Sequence, residues 1–318
     1  MISSRPRPDD RPAAAQPRRG LLGLVFVLPV TALLAAGAGG PARTLEVLGP
    51  PVTFTLPLVA MIAFWWDDWP GTLLRGAWSG LADTALVAAG GAGLTLLGRT
   101  LTGTASVPLA AGIFTLLLQV TLVGEGWPVR GRGTRWPGAA AVALCWVVGW
   151  ALYAGLVGTG AVPAEDYGAW FAVLGAWQLV WFVALRGRPF ARIRRRGVRL
   201  VTAHAAVLAC AAATSGLLPP DRLAPVAGAV IASVLVVAML FEAWPATRLD
   251  PLPGRGLVLV LVALLTTALS WALPRVARWA AVPDRLVTGW ATHTTLNALS
   301  LAVILHVAVW RRWPASAP

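Results

Sequence analysis

The stretch Phe64–Pro70 reads FWWDDWP and sets two carboxylates, Asp67 and Asp68, among three tryptophans. Glu125 stands two residues before Trp127-Pro128, and Glu242 two residues before Trp244-Pro245. Carboxylate oxygens are the usual ligands of Mg²⁺, and Mg²⁺ with nearby arginine can hold a diphosphate. Asp67, Asp68, Glu125 and Glu242 are therefore candidate metal ligands, with Mg²⁺ the expected cofactor. The same four carboxylates and His306 are the candidate catalytic groups. Asp83, His204, Trp66, Trp146 and Trp177 are candidates to line a substrate cavity, where indole faces can stabilise a cationic intermediate.

Each of these groups also has a plain structural reading. An acid near a helix end can pair with arginine, as Arg186 and Arg311 occupy the matching position in two further copies of the mark. Tryptophan concentrates at membrane interfaces. A lone histidine, or a pair such as His293 and Asn297 one helical turn apart, often joins two helices. Cys145 and Cys210 both lie in apolar runs, without metal-ligand spacing, and read as small buried residues.

The elements that must position these groups are set by composition. The 318 residues are 57% apolar and 12% charged, about half the charge of a soluble domain. Ten apolar runs can be placed, at 20–40, 51–66, 78–97, 107–124, 137–157, 169–185, 198–217, 224–242, 256–273 and 286–310. Each approaches the roughly 20 residues needed to cross a bilayer. The expected architecture is all-α, a polytopic integral membrane protein. Residues 1–19, rich in arginine and proline, are expected to form a disordered cytoplasmic tail. The membrane domain is expected over 20–314, with a short cytoplasmic tail over 315–318. Pro29 and Pro57 fall inside runs and are expected to kink them.

All 26 basic residues are arginine. With the N-terminus in the cytoplasm, 20 of them fall on the cytoplasmic side and six on the other. That bias predicts both termini inside, in a bacterial-type plasma membrane. It also explains the high positive charge without nucleic acid. The Trp-Pro marks, with Arg188-Pro189 a degenerate copy and Trp313-Pro314 the last, recur roughly every 60 residues. Each ends an even-numbered run, which predicts five parallel two-helix repeats.

No phosphate-binding loop, dinucleotide fingerprint or HExxH motif occurs. The paired aspartate-rich motifs of UbiA-type membrane prenyltransferases are also absent. The one-sided clustering of acids and histidines predicts an enzyme working from the cytoplasmic face on a lipophilic, anionic substrate. A terpene cyclase or another prenyl-diphosphate-handling enzyme fits that description. A transporter or permease for a small molecule is the alternative, and a non-catalytic membrane scaffold the second. The expected partners are the lipid bilayer and a lipophilic small molecule.

Overall fold

A computed structural model describes residues 16–103, 106–130 and 135–313. Most of both expected tails lies outside the described residues. Ten helices are long and apolar enough to span a membrane. They are α1 (Arg18–Ala36), α2 (Pro41–Phe64), α3 (Ala77–Thr102), α4 (Ser106–Val123) and α5 (Arg135–Leu156). The rest are α6 (Ala164–Ala184), α7 (Arg196–Ser215), α8 (Asp221–Leu240), α9 (Pro251–Trp279) and α10 (Asp284–Val309). All ten expected runs are present, and most begin a few residues earlier than hydropathy alone suggests.

The largest difference is α2, which starts ten residues early and runs through Pro50, Pro51 and Pro57. Gly49-Pro50-Pro51 reads locally as a break. Tertiary packing overrides that preference, because α3 lies along this stretch at close range. A Cβ on Gly91 of α3 would sit 3.0 Å from the Pro51 carbonyl oxygen.

The helices form two layers. The even-numbered helices are 50–78% buried and the odd-numbered ones 11–28%. The even helices close a ring in the order α2, α4, α6, α8, α10 and back to α2. The odd helices pack on its outside and carry exposed apolar side chains such as Leu28, Val147, Val201 and Leu264. An exterior this apolar suits lipid rather than water.

All even helices end on one face, with most of the arginines, termed here the arginine face. Their endings share one backbone pattern. Trp66, Gly124, Leu185, Phe241 and Trp310 each donate an N–H to the carbonyl five residues back. Asp68, Gly126, Gly187, Ala243 and Arg312 donate six residues back. The helix widens accordingly to π geometry over Gln119–Val123, Val180–Ala184, Leu235–Leu240 and Leu305–Val309. Two successive residues at each end then take positive φ, beginning with Asp67, Glu125, Arg186, Glu242 and Arg311. The charged residue of each mark thus occupies a left-handed turn that closes the helix.

On the opposite face, Ala281, two residues beyond the end of α9, sits at φ 55° with its side chain exposed. A left-handed alanine is unfavourable by roughly 1–2 kcal/mol. Ala281→Gly removes that cost without losing packing and is expected to stabilise the protein by about 1 kcal/mol. A rise in thermal unfolding temperature in detergent checks it.

Candidate functional site

The sequence-selected carboxylates lie on the arginine face, engaged by arginine or exposed. Asp67 is exposed. Asp68 pairs with Arg311 at 3.2 Å, and Glu242 with Arg312 at 2.9 Å. Glu125 receives both Arg196, at 3.2 Å, and Arg199, at 2.7 Å. Arg312 also donates to the carbonyls of Met239 and Leu240, so it ties the end of α10 to the open end of α8. Among the described residues, no group of three or more His, Cys, Asp and Glu side chains could hold a metal ion.

The other sequence-selected residues scatter. Asp83 is fully buried, and its Oδ1 accepts the Gly71 N–H at 2.8 Å. It thereby fastens the turn after FWWDDWP to α3. Trp66 donates to the Arg135 carbonyl, and Trp146 stacks on Phe54 between α5 and α2. Trp177 donates to Thr214 and borders a lateral groove of about 480 Å³ against α8 and α9. His306 is fully buried beside Phe26. The Asp83 contact is tight: a Cβ on Gly71 would fall 2.2 Å from Asp83 Oδ2 and 2.5 Å from the Ser79 carbonyl oxygen. Gly71→Ala is expected to destabilise the fold by about 2–3 kcal/mol, read from thermal unfolding in detergent.

A larger cavity than the groove beside Trp177 lies elsewhere. A chamber of about 820 Å³ opens at the face opposite the arginines, lined by the N-terminal parts of all five inner helices. Thr53 of α2, Ala111 of α4, Ala172 of α6, Ala224 of α8 and Asn297 of α10 contribute one wall each. Glu165, Asp166 and Asp221 stand at the rim, in the first turns of α6 and α8. Carboxylates there complement the positive helix ends. None of the described residues lining the chamber is arginine or lysine.

The chamber floor is built by α10, which widens to π geometry over His293–Leu299. Such wide turns recur at functional sites. His293 and Asn297 are 2% and 5% exposed. Their polar network is ordered by what surrounds it. The carbonyls of Leu34 and Ala35 lie in the last turn of α1, where intrahelical donors run out. They are capped from α10 by His293 Nε2, at 3.1 Å, and Trp290 Nε1, at 2.8 Å. His293 Nε2 must therefore carry the proton, leaving Nδ1 an acceptor in the neutral ring. Thr53 Oγ1 donates to the Gly49 carbonyl and is likewise an acceptor towards α10. Both acceptors face Asn297 Nδ2, at 3.2 and 2.9 Å. The amide orientation of Asn297 is fixed by these neighbours, and its Oδ1 is buried without a hydrogen-bond donor.

No protein-family model, no curated protein and no solved structure matches this chain. The chemistry of the site must be read from its own residues.

Beneath the floor, a void of about 20 Å³ is bordered by Thr53, Ala111, Thr115, Ala172 and Asn297, room for about one water. Below it, polar side chains continue towards the arginine face. Gln178, fully buried, donates to the Thr115 carbonyl at 3.2 Å and to Gln119 Oε1. Gln119 in turn reaches His204 Nδ1. Of these, only His204 stands out in a search for ionisable groups. Thr115, Gln119 and Gln178 are uncharged, and their signal is polarity within otherwise apolar runs.

Proposed function

We propose that this protein is a multi-pass membrane carrier that takes a small solute into the central chamber. The observation that carries this reading is the chamber itself, enclosed by five inner helices, with a polar floor and a polar line below it. Carriers of many folds bind substrate between helices near the middle of the bundle. Clefts of roughly 300–1,000 Å³ with apolar walls and few convergent polar groups are the usual form of small-molecule sites.

The arginine bias supports a cytoplasmic arginine face, with the chamber opening to the outside. The common ending of the even helices supports five parallel hairpin repeats. α10 is the natural moving element, because its two π segments leave it the least regularly wound of the inner helices. A cytoplasmic enzyme using Mg²⁺ would need carboxylates free to bind it. Asp68, Glu125 and Glu242 are instead held by arginine, so the carrier is the preferred reading.

Uptake of labelled small solutes into proteoliposomes tests it. Saturable uptake is expected, and it should survive in a variant carrying Asp68→Asn, Glu125→Gln and Glu242→Gln. Mg²⁺-dependent turnover of prenyl diphosphates, lost in that variant, would replace the carrier with the enzyme.

A further inference from the structure

The chamber's polar groups define the class of solute it takes. We propose that the ligand is an organic ammonium on an apolar body, entering past the three rim carboxylates and donating a hydrogen bond to Asn297 Oδ1. This rests on the carrier reading of the same chamber.

Two independent observations converge on it. The first is charge. Glu165, Asp166 and Asp221 bring three negative charges to the rim, and no described lining residue is arginine or lysine; His293, with Nε2 on the Leu34 carbonyl and Nδ1 accepting from Asn297, is held as the neutral ring. Arg222 and Arg278 border the neighbouring cleft that Asp221 also reaches, not the chamber. A mouth of one sign concentrates counter-charged solutes and rejects anions. The second is the floor. Asn297 Oδ1 is an acceptor in a residue 95% buried, with its amide orientation fixed and no donor supplied by the protein. Leaving such an atom unpaired is unfavourable, so a donor brought by the ligand is stabilised there. The two demands, positive charge and an N–H donor, meet in a protonated amine. Between rim and floor the walls are mainly alanine, glycine, proline and leucine, which suits an apolar body.

A panel of four probes with one body and four head groups separates these demands. They are 4-phenylbutylammonium, 4-phenylbutyltrimethylammonium, 4-phenylbutanol and 4-phenylbutyrate. Binding is measured by calorimetry on the full chain in nanodiscs, with empty nanodiscs subtracted. Location is read separately, as protection of a Thr292→Cys chamber cysteine from alkylation, in a protein also carrying Cys145→Ala and Cys210→Ala. The primary ammonium should bind tightest and the carboxylate weakest. Asn297→Leu should weaken the primary ammonium about tenfold and leave the trimethylammonium, which has no N–H to donate, within about twofold. Glu165→Gln with Asp166→Asn and Asp221→Asn should weaken both cations severalfold and flatten their salt dependence.

Three results would overturn the assignment: carboxylate or alcohol binding as tightly as the ammonium, no ammonium binding, or an Asn297→Leu variant that binds the ammonium unchanged. If the alcohol or carboxylate protects Thr292→Cys instead, the chamber stands and only the ligand class falls. Ammonium binding that gives no protection would place the site elsewhere and remove the chamber reading as well.

Discussion

A tryptophan at Ala111 is expected to abolish solute binding while leaving the fold in place. Ala111 borders both the chamber and the small void beneath it, and Asn297 borders the same two spaces. An indole introduced there stands between an entering solute and the floor. Ala111 is only partly buried, so the ring has the chamber to extend into, and the packing cost should stay near the low end of about 1–3 kcal/mol. Losing the floor contact and much of the apolar wall should weaken 4-phenylbutylammonium by about two orders of magnitude or more. Calorimetry in nanodiscs reads the loss, and an unchanged elution profile with a thermal transition close to wild type reads the fold. Ala172→Phe, on α6 across the same void, is the companion variant. Near-wild-type binding in both would mean that solute does not reach the floor.

Gln178→Leu is expected to separate binding from transport. Gln178 lies below the chamber and joins α6 to α4 through the Thr115 carbonyl and Gln119. It lines neither the chamber nor the void. A leucine of similar size keeps the packing but removes the amide that donates to both the Thr115 carbonyl and Gln119, whose own amide reaches His204. Binding should remain within about twofold, because no chamber contact changes, whereas proteoliposome uptake should fall at least about tenfold. Some stability is lost as well, about 1–3 kcal/mol, because Gln119 Oε1 loses its buried donor. His204→Leu, further along the line, should repeat the uptake defect with a smaller stability loss, since His204 is only partly buried. Undiminished uptake in both variants would mean that the polar line is structural and that solute or coupled protons pass another way.

The helices themselves were legible in the chain, and the layering was not. Ten apolar runs and their flanking arginines stand out because membrane-length hydropathy is a strong signal. The division into inner and outer helices leaves almost no trace in hydropathy. α8, in the inner ring, and α9, outside it, have mean hydropathies of 2.5 and 2.3. In lipid, the outward surface is as apolar as the core, so burial and hydrophobicity separate. The Trp-Pro marks are legible as helix ends, whereas their acids read in the sequence as candidate metal ligands. What determines their role is the left-handed turn at Asp67, Glu125 and Glu242 and the arginines that reach Asp68, Glu125 and Glu242, and those partners come from distant helices. Arg196 and Arg199 lie more than 70 residues beyond Glu125. The chamber escaped for a related reason. Its rim acids sit at helix starts, where they read as loop residues. Its floor depends on His293 and Asn297, which from the sequence read as a pair joining two helices, and on Thr53 and the carbonyls of α1, which are not ionisable.

In the carrier reading, the chamber opens on the face opposite the arginines and admits solute from there. Cysteine accessibility tests it most directly. Thr292 lines the chamber and is partly exposed. Cys145 and Cys210 are the only native thiols, so a Thr292→Cys variant carrying Cys145→Ala and Cys210→Ala reports from one place. Membrane-impermeant thiosulfonates are added to intact cells from outside, one cationic and one anionic. An outward-opening chamber with an acidic rim should give rapid labelling by the cationic reagent, slower labelling by the anionic one, and protection by 4-phenylbutylammonium. Labelling only from the cytoplasmic side of inverted vesicles, or none from either side, would contradict it.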